Sequence, residues 1–544
     1  MEKQKLRFSL YSACLILAVG ALPVNAYAES ASRGASEQAP ADMPVAVPKF
    51  DILHFDISGN TILDPAAIER MLKPFTGKGK DFGAVQLALE ALQQAYTEAG
   101  YGAVQVYLPE QDLDQGAVRL LVTEGKIKHI LTKGNTFHDD ANILASVPKL
   151  QVGNSPKAAD IEINLKAANE NPSKKTQVLL KTTEQPGEID ATLQVVDEKP
   201  WKVGAVLDNT GNSETGYNRL GVFYQNSNVG NRDHVFTTQY TTSPSKAGSV
   251  KVWGAGYRIP LYKVGDSVEF FAGYSDVNSG TVQDLFSVSG SGGIFGARYN
   301  YNLARHGDYD HKLTFGMEQR DYRNNVAPVG GGSSLVPDVT VHPVSVSYNG
   351  EWHVPGQQFS LYATEVSNIK GGSKGGDADF TATRTNANAD YLLTRYGVDY
   401  SRALTSDWQA HAAFNGQYTS DALVAGEMFG IGGMSSVRGY YERELADDQG
   451  YRGSLELYTP DFGERLHSKL KARALVFYDF GEVSRNKALP GEVTRRRIGS
   501  VGAGLRANVG DNFSLHMDLG YALADGGKVA KNQSRLNFSA VMTY

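Results

Sequence analysis

The 544-residue sequence contains one cysteine, Cys14. It lies inside an apolar stretch, Phe8 to Val24, that follows three basic residues and precedes Ala26-Tyr27-Ala28. A basic start, a short apolar run and a small-x-small end are typical of a secretory signal, so we predict a signal peptide over residues 1–28. The alternative, a membrane-anchor helix, is disfavoured by the shortness of the run and by Pro23. A mature chain without cysteine excludes disulfides, thiolate catalysis and cysteine-ligated metals.

Long apolar runs are also lacking after the signal, where no segment approaches the ~20 apolar residues that a membrane-spanning helix needs. The chain is instead rich in glycine, tyrosine and phenylalanine, with 58, 28 and 22 residues. This composition suits a transmembrane β-barrel, whose lumen is polar and whose rims are aromatic. The net charge is −6, and no basic stripe with interleaved aromatics occurs. We therefore expect no nucleic-acid partner.

Signatures of catalysis are missing as well. The sequence has no phosphate-binding loop followed by Lys and Ser/Thr and no His-Glu-x-x-His. Gly330-Gly331-Gly332-Ser333-Ser334 lies between strand-like segments and is interpreted as a surface loop. Asp447-Asp448 is compatible with a divalent-metal site, but a solvated loop pair is the favoured interpretation. We predict a protein that is not an enzyme, with no catalytic residue, no metal and no cofactor.

The region before the barrel divides into a linker or short plug segment, 29–48, and two similar modules, 49–124 and 125–199. In each module the patterns predict the order strand, helix, helix, strand, strand, and Lys133-Gly134-Asn135 in the second echoes Ser58-Gly59-Asn60 in the first. A pair of unrelated α+β domains is the alternative. The predicted helices start at Asp64-Pro65 and lie near 82–96, 139–147 and 157–169, and the later predicted strands lie near 103–108, 117–123, 128–132, 177–182 and 189–196.

Residues 200–544 carry many short segments in which apolar residues occupy alternate positions, as in Phe513–Leu519 and Val268–Tyr274. This period of two places one set of side chains toward lipid and the other toward a wet lumen. A soluble β-sandwich is disfavoured because it typically has ~100 residues. Allowing roughly 21 residues for each strand and its connection predicts about 16 antiparallel strands. The last segment, Leu536–Tyr544, ends on an aromatic residue, as bacterial outer-membrane barrels commonly do.

Two motifs narrow the prediction further. One is Val437-Arg438-Gly439-Tyr440, preceded by Gly430-Ile431-Gly432-Gly433, and the other is Phe477-Tyr478-Asp479-Phe480-Gly481. Together with the paired modules, they resemble the Omp-85 superfamily, in which the sixth extracellular loop folds into the barrel and the modules are POTRA domains. Within it the chain looks most like a TpsB transporter of two-partner secretion, of the haemolysin and filamentous haemagglutinin secretion type. The supporting stretches are Asn171-Pro172, Asp208-Asn209-Thr210-Gly211, Thr215-Gly216-Tyr217-Asn218-Arg219 and Asn228-Val229-Gly230-Asn231-Arg232-Asp233.

The resemblance implies that Arg438, carried into the lumen by its loop, pairs with Asp479 of the barrel wall. Alternation in 469–479 permits this pairing, because a lipid-facing set that includes Val476 and Tyr478 leaves Asp479 pointing inward. A guanidinium and a carboxylate in this arrangement can form a bidentate pair. The alternative is that Arg438 is an exposed loop arginine. Glycines at 432, 433 and 439 would permit sharp turns and close backbone approach.

The resemblance further implies an outer-membrane protein of a Gram-negative bacterium, with its N-terminal domains in the periplasm. It would capture an unfolded, large secreted exoprotein as client and export it without ATP. Its other expected partners are outer-membrane lipid and the barrel assembly machinery that would insert it. The plug helix of well-known relatives is doubtful here, because Pro40, Pro44 and Pro48 interrupt the available segment and only Ala31–Glu37 could form a short helix. The alternatives are a barrel-assembling insertase of the same superfamily, a passive porin or a receptor barrel.

Overall fold

The computed structural model describes residues 48–112, 115–213, 215–248, 250–275, 281–282, 286–287, 291–323 and 337–544. The signal peptide, the possible short helix at 31–37 and the Gly330–Ser334 segment lie outside these residues. Two small α+β modules precede a closed barrel.

The first module follows the predicted order of elements and adds a small two-stranded sheet. Its second helix presents Val85, Ala88, Leu92 and Tyr96 to a core shared with a three-stranded sheet. Both helices begin where aspartates cap them, since Asp64 accepts from the Ala66 N–H and Asp81 from the Ala84 N–H. The elements are β1 (Phe50–Ile52), β2 (His54–Ser58), α1 (Pro65–Leu72), β3 (Gly77–Lys80), α2 (Phe82–Glu98), β4 (Val104–Tyr107) and β5 (Ala117–Glu124).

The second module has the same order with a shorter first helix. It forms a three-stranded sheet, β6-β8-β7, whose core includes Ile127, Ile143 and Leu193. The helices are one or two residues shorter at their ends than predicted, and the strands are longer. The elements are β6 (Lys126–Lys133), α3 (Asp140–Ala145), α4 (Ala158–Asn169), β7 (Lys174–Thr182) and β8 (Glu188–Asp197).

The echoed Gly-Asn pair is a repeated turn between the first strand and first helix of each module. Gly59 and Gly134 have φ of 84° and 88°, which favour glycine. A Cβ at Gly59 would lie 2.1 Å from the Val122 carbonyl oxygen, and one at Gly134 would lie 2.3 Å from that of Val195. No side chain fits at either position, which explains why both modules carry the same residue there.

The barrel closes by pairing its first strand, Trp201–Asp208, with its last, Ser534–Thr543, and has 16 antiparallel wall strands, as predicted. The short strand β18 continues into β19 past His342, and because both pair with β17 the two are counted as one wall strand. The wall strands are β9 (Trp201–Asp208), β10 (Arg219–Val229), β11 (His234–Thr242), β12 (Lys251–Leu261), β13 (Asp266–Ser275), β16 (Ser291–Asn302), β17 (Tyr309–Arg323), β18 (Val339–Val341) with β19 (Pro343–Val354), β20 (Gln357–Asn368), β21 (Leu392–Ala403), β22 (Gln409–Tyr418), β25 (Gln449–Tyr458), β26 (Leu470–Ser484), β27 (Arg495–Val509), β28 (Phe513–Ala522) and β29 (Ser534–Thr543).

Loops at one end of the barrel carry the remaining elements. This far end lies opposite the end where β9 leaves the second module. The elements are the hairpin of β14 (Thr281–Val282) and β15 (Phe286–Ser287), the helix α5 (Asp377–Thr383), and the hairpin of β23 (Phe429–Ile431) and β24 (Leu445–Asp447).

The outer surface of the barrel is apolar between two aromatic rows. Exposed apolar side chains on alternate strand positions form the band, among them Phe295, Val346, Leu455 and Leu519. Exposed aromatic residues flank it, as expected at the two faces of a bilayer. They are Trp201, Tyr301, Trp352, Trp408, Phe513 and Tyr544 near the modules, and Tyr240, Trp253, Tyr274, Tyr418, Tyr451 and Tyr521 near the far end. Among the described residues, no helix combines the length and the apolar character that crossing a bilayer requires.

The second module is joined to the barrel by buried polar contacts at the β10–β11 turn. The Lys174 ammonium lies 2.5 Å from Asp233, and the Asn142 amide donates to the same carboxylate at 2.9 Å. The Asn171 amide donates to the Ser227 carbonyl at 2.7 Å. The Asn171-Pro172 and Asn228–Asp233 motifs therefore meet at this junction.

Candidate functional site: a loop held inside the barrel

The loop 419–448 connects β22 to β25 and folds back into the lumen. Ile431, Val437 and Tyr440 are fully buried there, packed against Val483 and Ile498 of the barrel wall in one apolar cluster. A surface loop would not bury these side chains. The loop is therefore held against the inner wall rather than extending into solvent.

Arg438 and Asp479 form the pair that the resemblance implied. Arg438 Nε lies 2.7 Å from Oδ2 of Asp479, and Nη2 lies 2.8 Å from Oδ1. The Arg438 backbone N–H also donates to Oδ2 at 3.0 Å. The residues are 4% and 0% exposed, which rules out the exposed-arginine alternative. This is a bidentate, charge-assisted contact in a site that excludes most water.

The guanidinium has further partners that sequence reasoning missed. Nη1 lies 2.6 Å from Glu456 and 3.5 Å from Asp518, and Nη2 donates to the Ser454 hydroxyl at 3.0 Å. The guanidinium carbon lies 3.6 Å from the centre of the Phe477 ring, a cation–π contact. Arg438 thus joins the loop to strands β25, β26 and β28.

The acceptors of Arg438 are themselves held in place. Glu456 lies 2.9 Å from His411, which in turn lies 2.7 Å from Asp399. Arg506 lies 2.9 Å from Asp518. The network therefore continues along the lumen wall as alternating acidic and basic side chains. Arg438 is the member of this network that the loop contributes.

The other members of the two motifs also hold the loop against the barrel wall. The Gly439 N–H donates to Asn537 at 3.3 Å, and the Tyr440 hydroxyl donates to the Ala524 carbonyl at 2.7 Å. A Cβ on Gly481 would lie 3.3 Å from the Ile431 side chain. The loop backbone therefore lies against the wall at the level of Arg438.

A second set of ion pairs holds the two ends of the loop. Glu427, 1% exposed, accepts two hydrogen bonds from Arg320, at 2.8 and 3.0 Å. Asp447 lies 2.6 Å from Arg496. Asp448 forms an ion pair with Arg384.

The expectation of a solvated Asp447-Asp448 pair is wrong. The two residues are 1% and 0% exposed, and arginines from neighbouring segments bind both carboxylates. Sequence alone gave no sign of burial, because the arginine partners are tens of residues away. The pair is structural, with each carboxylate charge matched by a guanidinium.

The structure brings Val437, Arg438, Gly439 and Tyr440 together with Phe477, Asp479 and Gly481. The missed partners Glu456, Asp518 and Asn537 occupy inward positions in the alternating pattern of their strands. The sequence signal for these partners was an acidic or amide residue at an inward-facing position of a strand. It is weak, because many such residues simply face the wet lumen.

Comparisons with known proteins agree with this architecture. The family model described as haemolysin secretion/activation protein ShlB/FhaC/HecB matches residues 187–507, and the ShlB-type POTRA domain matches residues 50–125. The chain is 24% identical over 412 residues to the outer membrane transporter CdiB of Escherichia coli, covering 74% of this chain and 68% of that one. It is 19% identical over 474 residues to the heme/hemopexin transporter protein HuxB of Haemophilus influenzae, covering 83% and 80%.

Solved structures share the fold. CdiB from Escherichia coli superposes with a TM-score of 0.72 at 20% identity, over 93% of each chain. CdiB from Acinetobacter baumannii superposes with a TM-score of 0.65 at 16% identity, over 91% of this chain and 90% of that one.

The fold and these matches define a class, the outer-membrane β-barrel transporters that carry periplasmic POTRA domains. Within that class the chain belongs to the ShlB/FhaC/HecB family of haemolysin secretion/activation proteins, the TpsB transporters of two-partner secretion. The modules accordingly lie in the periplasm, and the far end of the barrel faces the medium. The loop 419–448 is the sixth extracellular loop by strand order.

Proposed function

We propose that this transporter captures one large exoprotein, unfolded, at its periplasmic domains and passes it through the barrel lumen without ATP. The observation that carries the proposal is the loop 419–448, which occupies the lumen through a network centred on Arg438. A client in the lumen must displace this loop. Charged and hydrogen-bonded contacts can exchange one partner for another, so the loop can leave without unfolding the barrel.

In this proposal the Arg438–Asp479 pair is the resting anchor of the loop. Val437 and Tyr440 fill the apolar contact beside it, and Gly439 and Gly481 allow the loop to lie against the wall. Phe477 supplies the ring under the guanidinium. No step involves bond chemistry, metal or cofactor, and folding of the client outside the cell supplies direction.

Three further assignments belong to the proposal. The chain divides at 49–124, 125–199 and 200–544, after a signal peptide over 1–28 and the segment 29–48. Lipid contacts the apolar band of the barrel. The barrel assembly machinery inserts the protein.

The test is deletion of this gene followed by analysis of the large exoproteins released into the culture medium. We expect the exoprotein to disappear from the culture medium and to return when the gene is restored from a plasmid. A strain that expresses the barrel without residues 49–199 is the matched control, and it should also fail to secrete. Unchanged secretion in the deletion strain would refute the proposal.

A further inference from the structure

Strand β27 begins with three consecutive arginines that face opposite sides of the barrel wall. Arg496 points inward, where its guanidinium lies 2.6 Å from the Asp447 carboxylate. Because side chains alternate along a strand, Arg495 and Arg497 point outward, and both are exposed. Two cations therefore lie on the outer surface of the barrel, outside the network that holds the loop 419–448.

The two outward arginines lie on the extracellular side of the far aromatic row. Val501, on the same face of β27, pairs with the exposed Tyr521 of that row. Arg497 is four residues nearer the medium, which is about 13 Å along the strand. Since barrel strands tilt by about 40°, this distance corresponds to roughly 10 Å of height. The arginines are therefore at the level of the lipid headgroups, beyond the hydrocarbon core.

One carboxylate is shared between the two arginines. Glu482 of β26 pairs across the strands with Arg497, and its Oε1 lies 3.1 Å from Nε of Arg495. The Arg495 side chain is still 65% exposed, and Arg497 forms no ion pair within the described part of the chain. One positive charge is therefore unbalanced at the membrane surface, and it would attract an anion.

An apolar groove runs below the arginines on the same face of the barrel. The outward positions of β27 beneath Arg497 are held by small or medium side chains, Gly499, Val501 and Ala503. Longer exposed side chains flank this column on both sides, from Val476 and Tyr478 of β26 and from Leu519 and Tyr521 of β28. The groove is thus cationic at its extracellular end and apolar along the rest of its length, which suits an amphiphile with an anionic headgroup.

Outward cations lie beside the far aromatic row on two other strands as well. Lys251 begins β12, two residues beyond the exposed Trp253 on the same face. Arg323 ends β17, and its guanidinium carbon lies 5.8 Å from the centre of the Tyr274 ring. These are single cations, whereas β27 presents two at consecutive outward positions, which makes β27 the stronger anion site.

We propose that this groove binds the phosphorylated glycolipid of the outer leaflet, with one phosphate group held between Arg495 and Arg497 and acyl chains along Val501 and Ala503. The outer leaflet of a Gram-negative outer membrane consists largely of this lipid, whose glucosamine headgroup carries phosphate. Paired N–H donors of a guanidinium match the oxygens of a phosphate. Consecutive outward positions are about 7 Å apart, so both side chains reach the same group. The site is independent of the client and of its route through the lumen.

Removal of the two outward charges tests the headgroup site. The probe is lipid A with both phosphates, added to the full-length protein in detergent and followed by native mass spectrometry. We expect the double variant Arg495→Gln with Arg497→Gln to bind at least about tenfold more weakly, because charge-assisted hydrogen bonds are lost. Arg402→Gln, at an exposed outward arginine of β21 near the modules, is the matched control and should bind like the unmodified chain. Heat-modifiable migration of each variant confirms that its barrel has folded.

Glu482 gives a test in the opposite direction. Glu482→Gln removes the carboxylate that competes for Arg495, so lipid A should bind about threefold more tightly. Added salt should weaken binding to the unmodified chain, because it screens exposed charges. Weaker binding in Glu482→Gln would show that the arginines do not hold the phosphate.

Two further probes identify the source of the phosphate. Lipid A without phosphates should bind the unmodified chain as weakly as the complete lipid binds the double variant. Inorganic phosphate in large molar excess should leave the lipid complex intact, because it lacks the acyl chains that occupy the groove. Displacement by inorganic phosphate would indicate a site for a free anion and overturn the lipid assignment. Equal binding of lipid A by the unmodified chain and the double variant would overturn the site itself.

Discussion

Gly439 of the loop 419–448 and Gly520 of β28 meet backbone to backbone. A Cβ added to Gly520 would lie 2.6 Å from the Gly439 nitrogen, and one added to Gly439 would lie 3.0 Å from the Gly520 carbonyl carbon. Gly439 also has a φ of 89°. The loop can therefore dock at this depth only because both positions lack a side chain.

Gly520→Ala is expected to push the loop away from the wall while leaving the barrel closed. The new methyl group meets backbone, which cannot rotate aside, so the Arg438–Asp479 pair must lengthen. We expect a higher open-channel conductance in planar bilayers and greater sensitivity of cells to large antibiotics.

The matched control for this substitution is Gly293→Ala in β16. A Cβ there would meet only the Gly273 carbonyl oxygen, at 3.8 Å. It should leave conductance unchanged. Equal conductance in the two variants would show that the loop does not dock as the structure has it.

The charge network predicts an asymmetry between the two anchor residues. Arg438→Ala leaves Asp479, Glu456 and Asp518 facing one another without their shared cation, and removal of one partner of a buried ion pair costs about 3–5 kcal/mol. Asp479→Asn leaves Arg438 with Glu456 at 2.6 Å. We therefore expect Arg438→Ala to lower the resistance of the barrel to urea more than Asp479→Asn does.

Two further variants test this stability prediction. Arg438→Lys should rescue only in part, because an ammonium cannot make the bidentate contact. Arg402→Ala, at an exposed arginine of β21, is the control and should match the unmodified protein. An Asp479→Asn barrel less stable than Arg438→Ala would mean that Glu456 and Asp518 contribute nothing.

The class of fold could be predicted from the sequence more completely than the residues of the candidate site. The period-two alternation predicts wall strands, because lipid on one side and the lumen on the other impose it on each strand separately. Asp64 and Gly59 likewise predict local features, a helix N-cap and a tight turn. Glu456 and Asp518 could not be identified, since partners in a barrel are set by register across strands distant in sequence. The same reason made Asp447-Asp448 look solvated, because Arg384 and Arg496 reach it only after the loops have packed.

Asp448 is expected to hold the extracellular loops together. Besides Arg384, its carboxylate accepts from the Leu423 N–H and the Asn486 N–H, both at 2.7 Å. Asp448→Ala leaves these donors and a buried guanidinium without an acceptor, at a cost of about 3–5 kcal/mol. We expect trypsin added to intact cells to cleave after Arg384 in this variant. Asp390→Ala, whose carboxylate is half exposed and bound to Lys370, is the control and should stay resistant.

The second periplasmic module is held together by a buried carboxylate, Asp197, whose contribution depends on pH. The Asp197 side chain has no exposed surface, and its carboxylate accepts from the backbone N–H groups of Thr136, Phe137 and His138 at 2.8 to 2.9 Å. Burial opposes its ionisation, but these hydrogen bonds prevail and hold the pKa of Asp197 below the ordinary value of 3.8.

A carboxylate whose pKa is lower in the folded than in the unfolded chain stabilises the fold above the unfolded value. That contribution is lost as the pH falls below 3.8 and through the folded pKa. Pepsin, which acts in acid, should therefore cleave near Phe137 increasingly fast as the pH falls through this window. In Asp197→Asn, cleavage should be fast already above pH 4 and depend less on pH, because the amide loses charge-assisted bonds of about 1.5–3 kcal/mol. Asp56→Asn, at an exposed carboxylate of β2, should follow the unmodified protein, and identical pH profiles for all three chains would show that Asp197 does not hold this turn.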